Sequence, residues 1–340
     1  MRSSRSASSE WARTRCRGVS QGSPTTPELP PLLVIAGATA SGKTALAVEL
    51  VQQLPGAEIV SADSRQVYRG MDIGTAKPSP AERSAAPHHC LDLVDPDERF
   101  SLADYQRAAL AALGDIAGRG GIALLVGGTG LYLRAIARGF PLETGSTDAA
   151  LRATLEARCA SDGLAALTGE LLERDPTVAG TLDLDNPRRV IRALERAILT
   201  GSAVPPAPLG YPAPITWLGL RQETAAHRRA IAARIEAHFA IGLLDEAERL
   251  RSRYPEELPA FSAMGYREAF DVLAGRIDVP TAKACDAQRT WAYARRQRTW
   301  FRSEPDITWL SAGEGSAAQA RRVLSPFLGD IGRDQYAGPA

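Results

Sequence analysis

The chain has 340 residues, 44% hydrophobic and 23% charged, globular proportions that allow a sizeable core in one large domain or two moderate ones. A formal net charge of +1 excludes a uniformly basic surface, so a nucleic-acid site would have to come from local clustering. No apolar run approaches the ~18 residues that a membrane span needs. Residues 1–30 are rich in Ser and Arg, close with Pro24, Pro27 and Pro30 just before Pro31, and show no apolar periodicity. They read as a disordered extension. The same composition can mark an organelle transit peptide, a reading that Glu10 and the prolines oppose.

Residues 32–36 then form a continuous apolar strand, followed by Gly37-Ala38-Thr39-Ala40-Ser41-Gly42-Lys43-Thr44 and a helix over 45–54. The loop fits G-x-x-x-x-G-K-[ST], the phosphate-cradling P-loop, with the required strand before it and helix after it. Gly37 and Gly42 permit backbone angles that bulkier residues resist. The loop N–H groups and the helix N-terminus point at one anion. Lys43, one of three lysines in the chain, adds positive charge, and Thr44 offers a hydroxyl to Mg²⁺.

A second strand at 57–61 runs into a polar loop from Ala62 to Pro78, and a parallel sheet would put Asp63 at a carboxyl strand end beside the P-loop. Cys90-Leu91-Asp92-Leu93-Val94 reads as a third strand. A helix over 101–118 follows, with Ser101 as N-cap and Asp104 in its first turn. A fourth strand at 121–126 leads into Gly127-Gly128-Thr129-Gly130-Leu131-Tyr132 and another helix. Strand–helix alternation predicts an α/β core. P-loop NTPases usually end such a strand in an Asp that holds Mg²⁺; here Gly127-Gly128-Thr129 stands instead. The pattern suits a protein that grips a diphosphate without being a motor or a switch.

Residues 144–201 read as all-helical, with amphipathic helices at 148–160 and 164–173 and a third capped by Asp185-Asn186-Pro187. Val190, Ile191, Leu194 and Ile198 recur on its apolar face. Arg188, Arg192 and Arg196 form a basic stripe that suits either a solvated face or RNA contact. Residues 205–214 are a linker, and 215–220 a strand returning to the sheet, so the helical unit is an insertion. The last third is helical: 223–241, closed by Gly242, another helix opening at 263–267, and a long helix over 281–302. On that helix Trp291, Arg295, Arg298 and Arg302 share one face, which suits a nucleic-acid groove or a packed helix with a charged exterior. Residues 306–310 are a last strand. Cys16, Cys90, Cys159 and Cys285 are scattered, which disfavours disulfides and zinc and suits a reducing cytosol. His88, His89, His227 and His238 share no ligand spacing with them and read as surface or core residues. The fold class is therefore α/β, a P-loop NTPase-like parallel sheet core (31–143 and 202–312) with an all-helical insertion domain (144–201), a helical C-terminal part and a tail at 313–340.

These motifs resemble those of the tRNA dimethylallyltransferase family (tRNA Δ2-isopentenylpyrophosphate transferases). The P-loop is close to that family's G-P-T-A-S-G-K-T, with Ala38 in place of Pro. Asp63-Ser64-x-Gln66-x-Tyr68-x-Gly70-Met71-Asp72-Ile73-Gly74-Thr75-Ala76-Lys77 follows, then Gly127-Gly128-Thr129-Gly130-Leu131-Tyr132 and Asp185-Asn186-Pro187-x-Arg189. Met264-Gly265-Tyr266 and Ala294-Arg295-Arg296-Gln297-x-Thr299-Trp300-Phe301-Arg302 complete the series, in family order over about residues 32–310. Trp291 stands where the family usually has Arg, and the family's eukaryotic Cys-Cys-His-His zinc finger is absent, which implies a bacterial-type enzyme.

The resemblance implies transfer of a dimethylallyl group from dimethylallyl diphosphate to N6 of adenosine 37, in the anticodon loop of tRNAs reading codons that begin with U. It implies Mg²⁺ on Thr44, a cytoplasmic monomer, and no membrane partner. Gly37, Ala38, Thr39, Ala40, Ser41, Gly42, Lys43 and Thr44 would bind the diphosphate or a nucleotide, with Thr39 and Arg234 also catalytic. Asp63, Ser64, Arg65 and Gln66 would meet the target adenosine, with Asp63 as general base; the plainer role for Asp63 is a loop cap. Thr129, Arg152, Arg188, Arg189, Val190, Ile191 and Arg192 would meet the tRNA. The rivals are a P-loop small-molecule kinase, an adenylate isopentenyltransferase and a non-catalytic RNA-binding module.

Overall fold

The structure, a computed structural model, describes residues 29–141 and 147–332. The expectation for residues 1–30, Leu29 and Pro30 apart, lies outside the described residues, as does the domain boundary at 143/144. In chain order the elements are β1 (Leu32–Gly37), α1 (Lys43–Gln53), β2 (Ala57–Ser61), α2 (Pro80–Ala85), β3 (His88–His89), α3 (Leu102–Gly118), β4 (Ile122–Gly127) and α4 (Gly130–Ala137). The inserted helices are α5 (Ala149–Asp162), α6 (Leu164–Arg174) and α7 (Pro187–Thr200). Then come β5 (Ile215–Arg221), α8 (Thr224–Ala240), α9 (Leu243–Arg251), α10 (Tyr266–Leu273), α11 (Val279–Arg302), β6 (Ile307–Ser311) and α12 (Ser316–Asp330).

All strands pair in parallel, in the order β3-β2-β4-β1-β5-β6. A parallel sheet covered on both faces needs apolar residues on both sides of its strands, and β1 is buried throughout. The pleat sends alternate residues to opposite faces. Leu32, Val34 and Ala36 join Tyr105, Leu113 and Ile116 of α3, Leu133 and Ile136 of α4 and Phe301 of α11. Leu33 and Ile35 join Leu46 and Leu50 of α1 and Leu324 of α12. The expected capping box closes the start of α3, Ser101 and Asp104 each bonding to the other's backbone N–H. The P-loop thus leaves a strand flanked by β4 and β5, at the carboxyl edge where α/β sheets bind ligands.

The inserted helices have a core of their own, built on Leu155, Leu167, Leu171, Val190 and Leu194. A fourth cluster packs α9 and α10 against the loop after β2, joining Leu243, Leu250, Tyr266 and Phe270 to Val67, Tyr68 and Met71.

Two expectations need correction. The third strand is not at 90–94: it is the short β3, paired with Ile59 and Val60. Cys90 (φ 61°) and Asp92 (φ 55°) are left-handed, which ends a strand, and Asp92 is drawn to Lys77 and Arg83. The C-terminal region is not a tail from 313 onward: α12 buries Ala317, Ala320, Leu324 and Phe327 on the sheet.

Candidate active site

The P-loop is shaped by its own sequence. Gly42 at φ 89° starts α1 from a left-handed angle that a side chain would oppose. Lys43 folds back, its ammonium donating to the Ala38 carbonyl at 2.7 Å. Burial pulls that ammonium down to about 8; the Asp63 carboxylate opposes the shift and the Arg234 guanidinium adds to it.

Thr39 is gripped from three directions. Its N–H donates to Gln297 Oε1 at 2.8 Å. His227 Nε2 lies 2.8 Å from its carbonyl, so the ring must donate there. The Arg234 guanidinium donates to its hydroxyl. Gln297 is buried on α11, and its Nε2 donates to the Gly128 carbonyl at 2.8 Å, tying the end of β4 to the P-loop. This explains the missing aspartate after β4: a Cβ on Gly128 would run into the Gln297 amide. Trp291 packs edge-on against His227 with ring centroids 5.6 Å apart, and the Arg228 guanidinium lies 4.4 Å from the Trp291 ring centroid.

Asp63 follows β2. Its Oδ1 accepts the Arg65 N–H at 2.8 Å, the capping role, while Oδ2 makes no hydrogen bond among the described residues. Asp63, Gln66, Thr39, Ala40, Ser41, Gly42, Lys43, Thr44 and Arg234 all border one cavity of about 580 Å³. Burial lowers Arg234, with Asp286 and Asp63 opposing. Nearby His238 is pushed down to about 4 by burial and by Arg234, so it is neutral.

The other wall of the cavity is the loop between residues 72 and 78, and its hold was not foreseen. The buried Glu246 carboxylate accepts the N–H groups of Asp72 (3.0 Å), Ile73 (2.9 Å) and Gly74 (3.1 Å) and the Tyr266 hydroxyl (2.7 Å). Gly74 is required there, because a Cβ would sit 2.5 Å from the Tyr266 ring. Lys77, also buried, donates to the Tyr68 carbonyl at 2.6 Å and to Asp72 and Asp92. Gln66 spends its amide on Ser61 (2.9 Å) and the Ala76 carbonyl (3.0 Å), so it fixes the same loop.

Not every candidate residue reaches the cavity. Thr129 Oγ1 accepts the Ser64 N–H at 3.0 Å, one residue from Asp63, and Arg65 donates to the Pro259 carbonyl at 3.0 Å; none of the three lines the cavity. Gly37 ends β1 and Ala38 is buried behind the loop. The inserted helices hold Arg152, Arg188, Arg189 and Arg192 apart from it. Arg152 (3.0 Å) and Arg192 (2.5 Å) both pair with buried Glu195. Arg196 donates to the Val204 carbonyl at 3.0 Å. The expected stripe is therefore divided: Arg192, though exposed, is held by Glu195, while Arg188 and its neighbour Arg189 are exposed with no ion pair among the described residues. Val190 and Ile191 need correction as contact residues: their side chains lie in the core of the inserted helices.

A parallel sheet with a P-loop at its central strand, and a carboxylate bordering the same cavity, defines a P-loop α/β protein. The family model described as "IPP transferase" matches residues 66–304, and one described as "Isopentenyl transferase" matches residues 30–91. The chain belongs to the IPP transferase family, a family of prenyl-group transferases. It is 50% identical to the tRNA dimethylallyltransferase of Roseiflexus sp. (strain RS-1), over 86% of this chain and 97% of that one. It is 44% identical to that of Methylococcus capsulatus, over 84% and 94%. Among solved structures, the tRNA isopentenylpyrophosphate transferase of Bacillus halodurans matches with 36% identity and a TM-score of 0.66, covering 90% of this chain and 99% of that one.

Glu246→Gln is expected to lower stability by about 1–3 kcal/mol, because an amide nitrogen cannot accept the N–H groups the carboxylate holds. Hydrogen exchange should speed up at the amides of Asp72, Ile73 and Gly74 while β1 stays protected. Unchanged exchange at those three amides would remove Glu246 as the anchor of the loop.

Proposed function

We propose that this protein transfers the dimethylallyl group of dimethylallyl diphosphate to N6 of adenosine 37 in tRNA, releasing diphosphate. The observation that carries the reading is the shared cavity: Asp63, with one oxygen uncommitted, borders the same space as Lys43, Arg234 and the phosphate loop. A leaving group and a nucleophile's proton can then be handled in one place.

In this reading the loop N–H groups, Lys43 and Arg234 hold the diphosphate and stabilise charge that grows on it as the allylic C–O bond breaks. The C–N6 bond forms, Asp63 accepts the N6 proton, and diphosphate departs with the bonding electron pair. General-base help of this kind contributes about 10²–10⁴-fold. The adenine must leave its stack, at a cost of a few kcal/mol that is smallest in a single-stranded loop. No three His, Cys, Asp or Glu side chains converge on a metal site among the described residues. The Thr44 hydroxyl, which borders the cavity beside Lys43, would be the protein group to hold Mg²⁺. When bound, the ion would add positive charge at the diphosphate.

The tRNA would lie across the exposed Arg188 and Arg189, with Thr129, Ser64 and Arg65 bracing the Asp63 turn. No helix among the described residues is long and apolar enough to cross a membrane, which is compatible with a cytoplasmic site of action. We take the protein to act as a monomer; light scattering that gave a dimer mass would remove that point. Labelled dimethylallyl diphosphate offered with unmodified tRNA, AMP, or small acceptors plus ATP tests the whole reading. Label should enter tRNA; label in AMP alone would transfer the assignment to a free-nucleotide prenyltransferase.

Three consequences follow from the geometry. Asp63→Asn should cut turnover at least about 10²-fold while keeping tRNA affinity; equal turnover would leave Asp63 only its capping role. Arg188→Ala with Arg189→Ala should weaken tRNA binding and reduce the slope of log affinity against log salt by about 2; an unchanged slope would make these arginines a solvated face. The third concerns Lys43, lowered to about 8. A diphosphate prefers its protonated form, so affinity for dimethylallyl diphosphate should weaken as pH rises above 8, by up to about tenfold per unit. Lys43→Met should abolish that slope in calorimetric titrations, and a slope that survives would have another origin.

A further inference from the structure

A second, smaller cavity of about 180 Å³ shares only Ser41 with the site above. Its walls are the start of the phosphate loop, the end of β5, the first turn of α8, the last turns of α11 and β6. Three of its side chains are arginines, Arg221, Arg298 and Arg302, and none is a carboxylate. Several arginines elsewhere in the fold are paired with buried carboxylates: Arg134 and Arg138 share Glu304, and Arg152 and Arg192 share Glu195. Here the Arg221 and Arg302 side chains have no ion-pair or hydrogen-bond partner among the described residues, and Arg298 has only a 3.5 Å contact with Thr224 Oγ1. Arg221 and Arg302 are exposed and Arg298 is half-buried, and the guanidinium fork matches phosphate and carboxylate oxygens in geometry.

Two buried polar atoms add to this. Ser41 Oγ, on a side chain 2% exposed, and Gln222 Oε1 border the cavity with no hydrogen-bond partner among the described residues. Buried polar atoms are nearly always paired. The Ser41 hydroxyl can donate to an anion, and the Gln222 amide presents a donor after a flip that keeps its shape. Phe301 and Trp309 close the remaining walls. The volume is below the ~300–1,000 Å³ of drug-sized pockets, so it suits one anionic group rather than a whole nucleotide.

We infer that this cavity is a second anion site, separate from the phosphate loop's own, taking one phosphate or carboxylate group between Arg221, Arg298 and Arg302 with Ser41 as hydroxyl donor. The group could be a free phosphate or a backbone phosphate of bound RNA, and the two sources are separable. Crystals of the full chain grown with diphosphate and soaked in tungstate should show anomalous density among the three guanidinium groups. That density should vanish in Arg221→Gln with Arg302→Gln while diphosphate stays on the loop. Tungstate found only at the phosphate loop, or only on isolated surface arginines, would overturn the site.

In solution, with diphosphate saturating the loop, the same double variant should lose at least about fivefold in calorimetric affinity for inorganic phosphate, or lower the salt slope of tRNA binding by about 2. The first result assigns a free anion and the second the RNA backbone. If neither changes, the inference fails. Should the double variant not fold, Arg302→Gln alone is read by the same two measurements.

Discussion

The Gln297 amide is the joint on which the site depends. Its oxygen takes the Thr39 N–H and its nitrogen donates to the Gly128 carbonyl, so one buried side chain from α11 fixes the ends of β1 and β4 together. Neither strand end could be held so well by its own sequence. A P-loop rich in small residues has little side-chain packing of its own, and two of its angles are left-handed, Ala40 at φ 59° and Gly42 at φ 89°. The supports are external, with His227 and Arg234 of α8 on the same threonine. Because α8 and α11 lie between β5 and β6, the order of the chain brings the last third of the sequence back onto its first motif.

The opposite wall uses the same device with charge in place of an amide. A carboxylate that accepts several backbone N–H groups is a strong anchor when buried, and leaving those groups unpaired is costly. Glu246 does this for Asp72, Ile73 and Gly74, and the Lys77 ammonium ties Tyr68, Asp72 and Asp92 from the other end. The cavity therefore has two rigid walls, each pinned by a buried polar side chain from a helix. Asp63 sits between them on a turn closed by its own Oδ1, which sets the direction of its free oxygen.

Much of this was legible in order along the chain. The P-loop, the parallel core and the separate helical insertion follow from apolar runs and glycine positions that act locally. What escaped the sequence was non-local. Nothing in the spacing of His227 distinguishes it from a core histidine; its role depends on Thr39, far away in the chain. Glu246 sits on a helix surrounded by other charges and gives no signal of the three N–H groups it holds. The run at 90–94 looked like a strand because apolar residues alternate there, but Lys77 and Arg83 draw Asp92 out of that geometry. The arginines of α7 looked continuous because helical spacing puts them on one side, while the buried Glu195 that takes Arg192 sits on the same helix three residues on.

Trp291 shows how a departure from a family pattern can be absorbed. An arginine at that position would place another cation near Arg228 and Arg298. Tryptophan instead meets His227 in a T-shaped contact and offers its face to Arg228, so the helix keeps a contact at the point where His227 supports Thr39. The ring also replaces a charge with apolar area against Ile231 and Ala287. Support of the phosphate loop at this position is by packing, and of the cations lining the cavity Lys77 is paired with Asp72 and Asp92 while Lys43 and Arg234 have no carboxylate ion-pair partner among the described residues. Those two are the cations that burial makes most sensitive to a nearby anion, since each gains from a partner what it has lost in hydration.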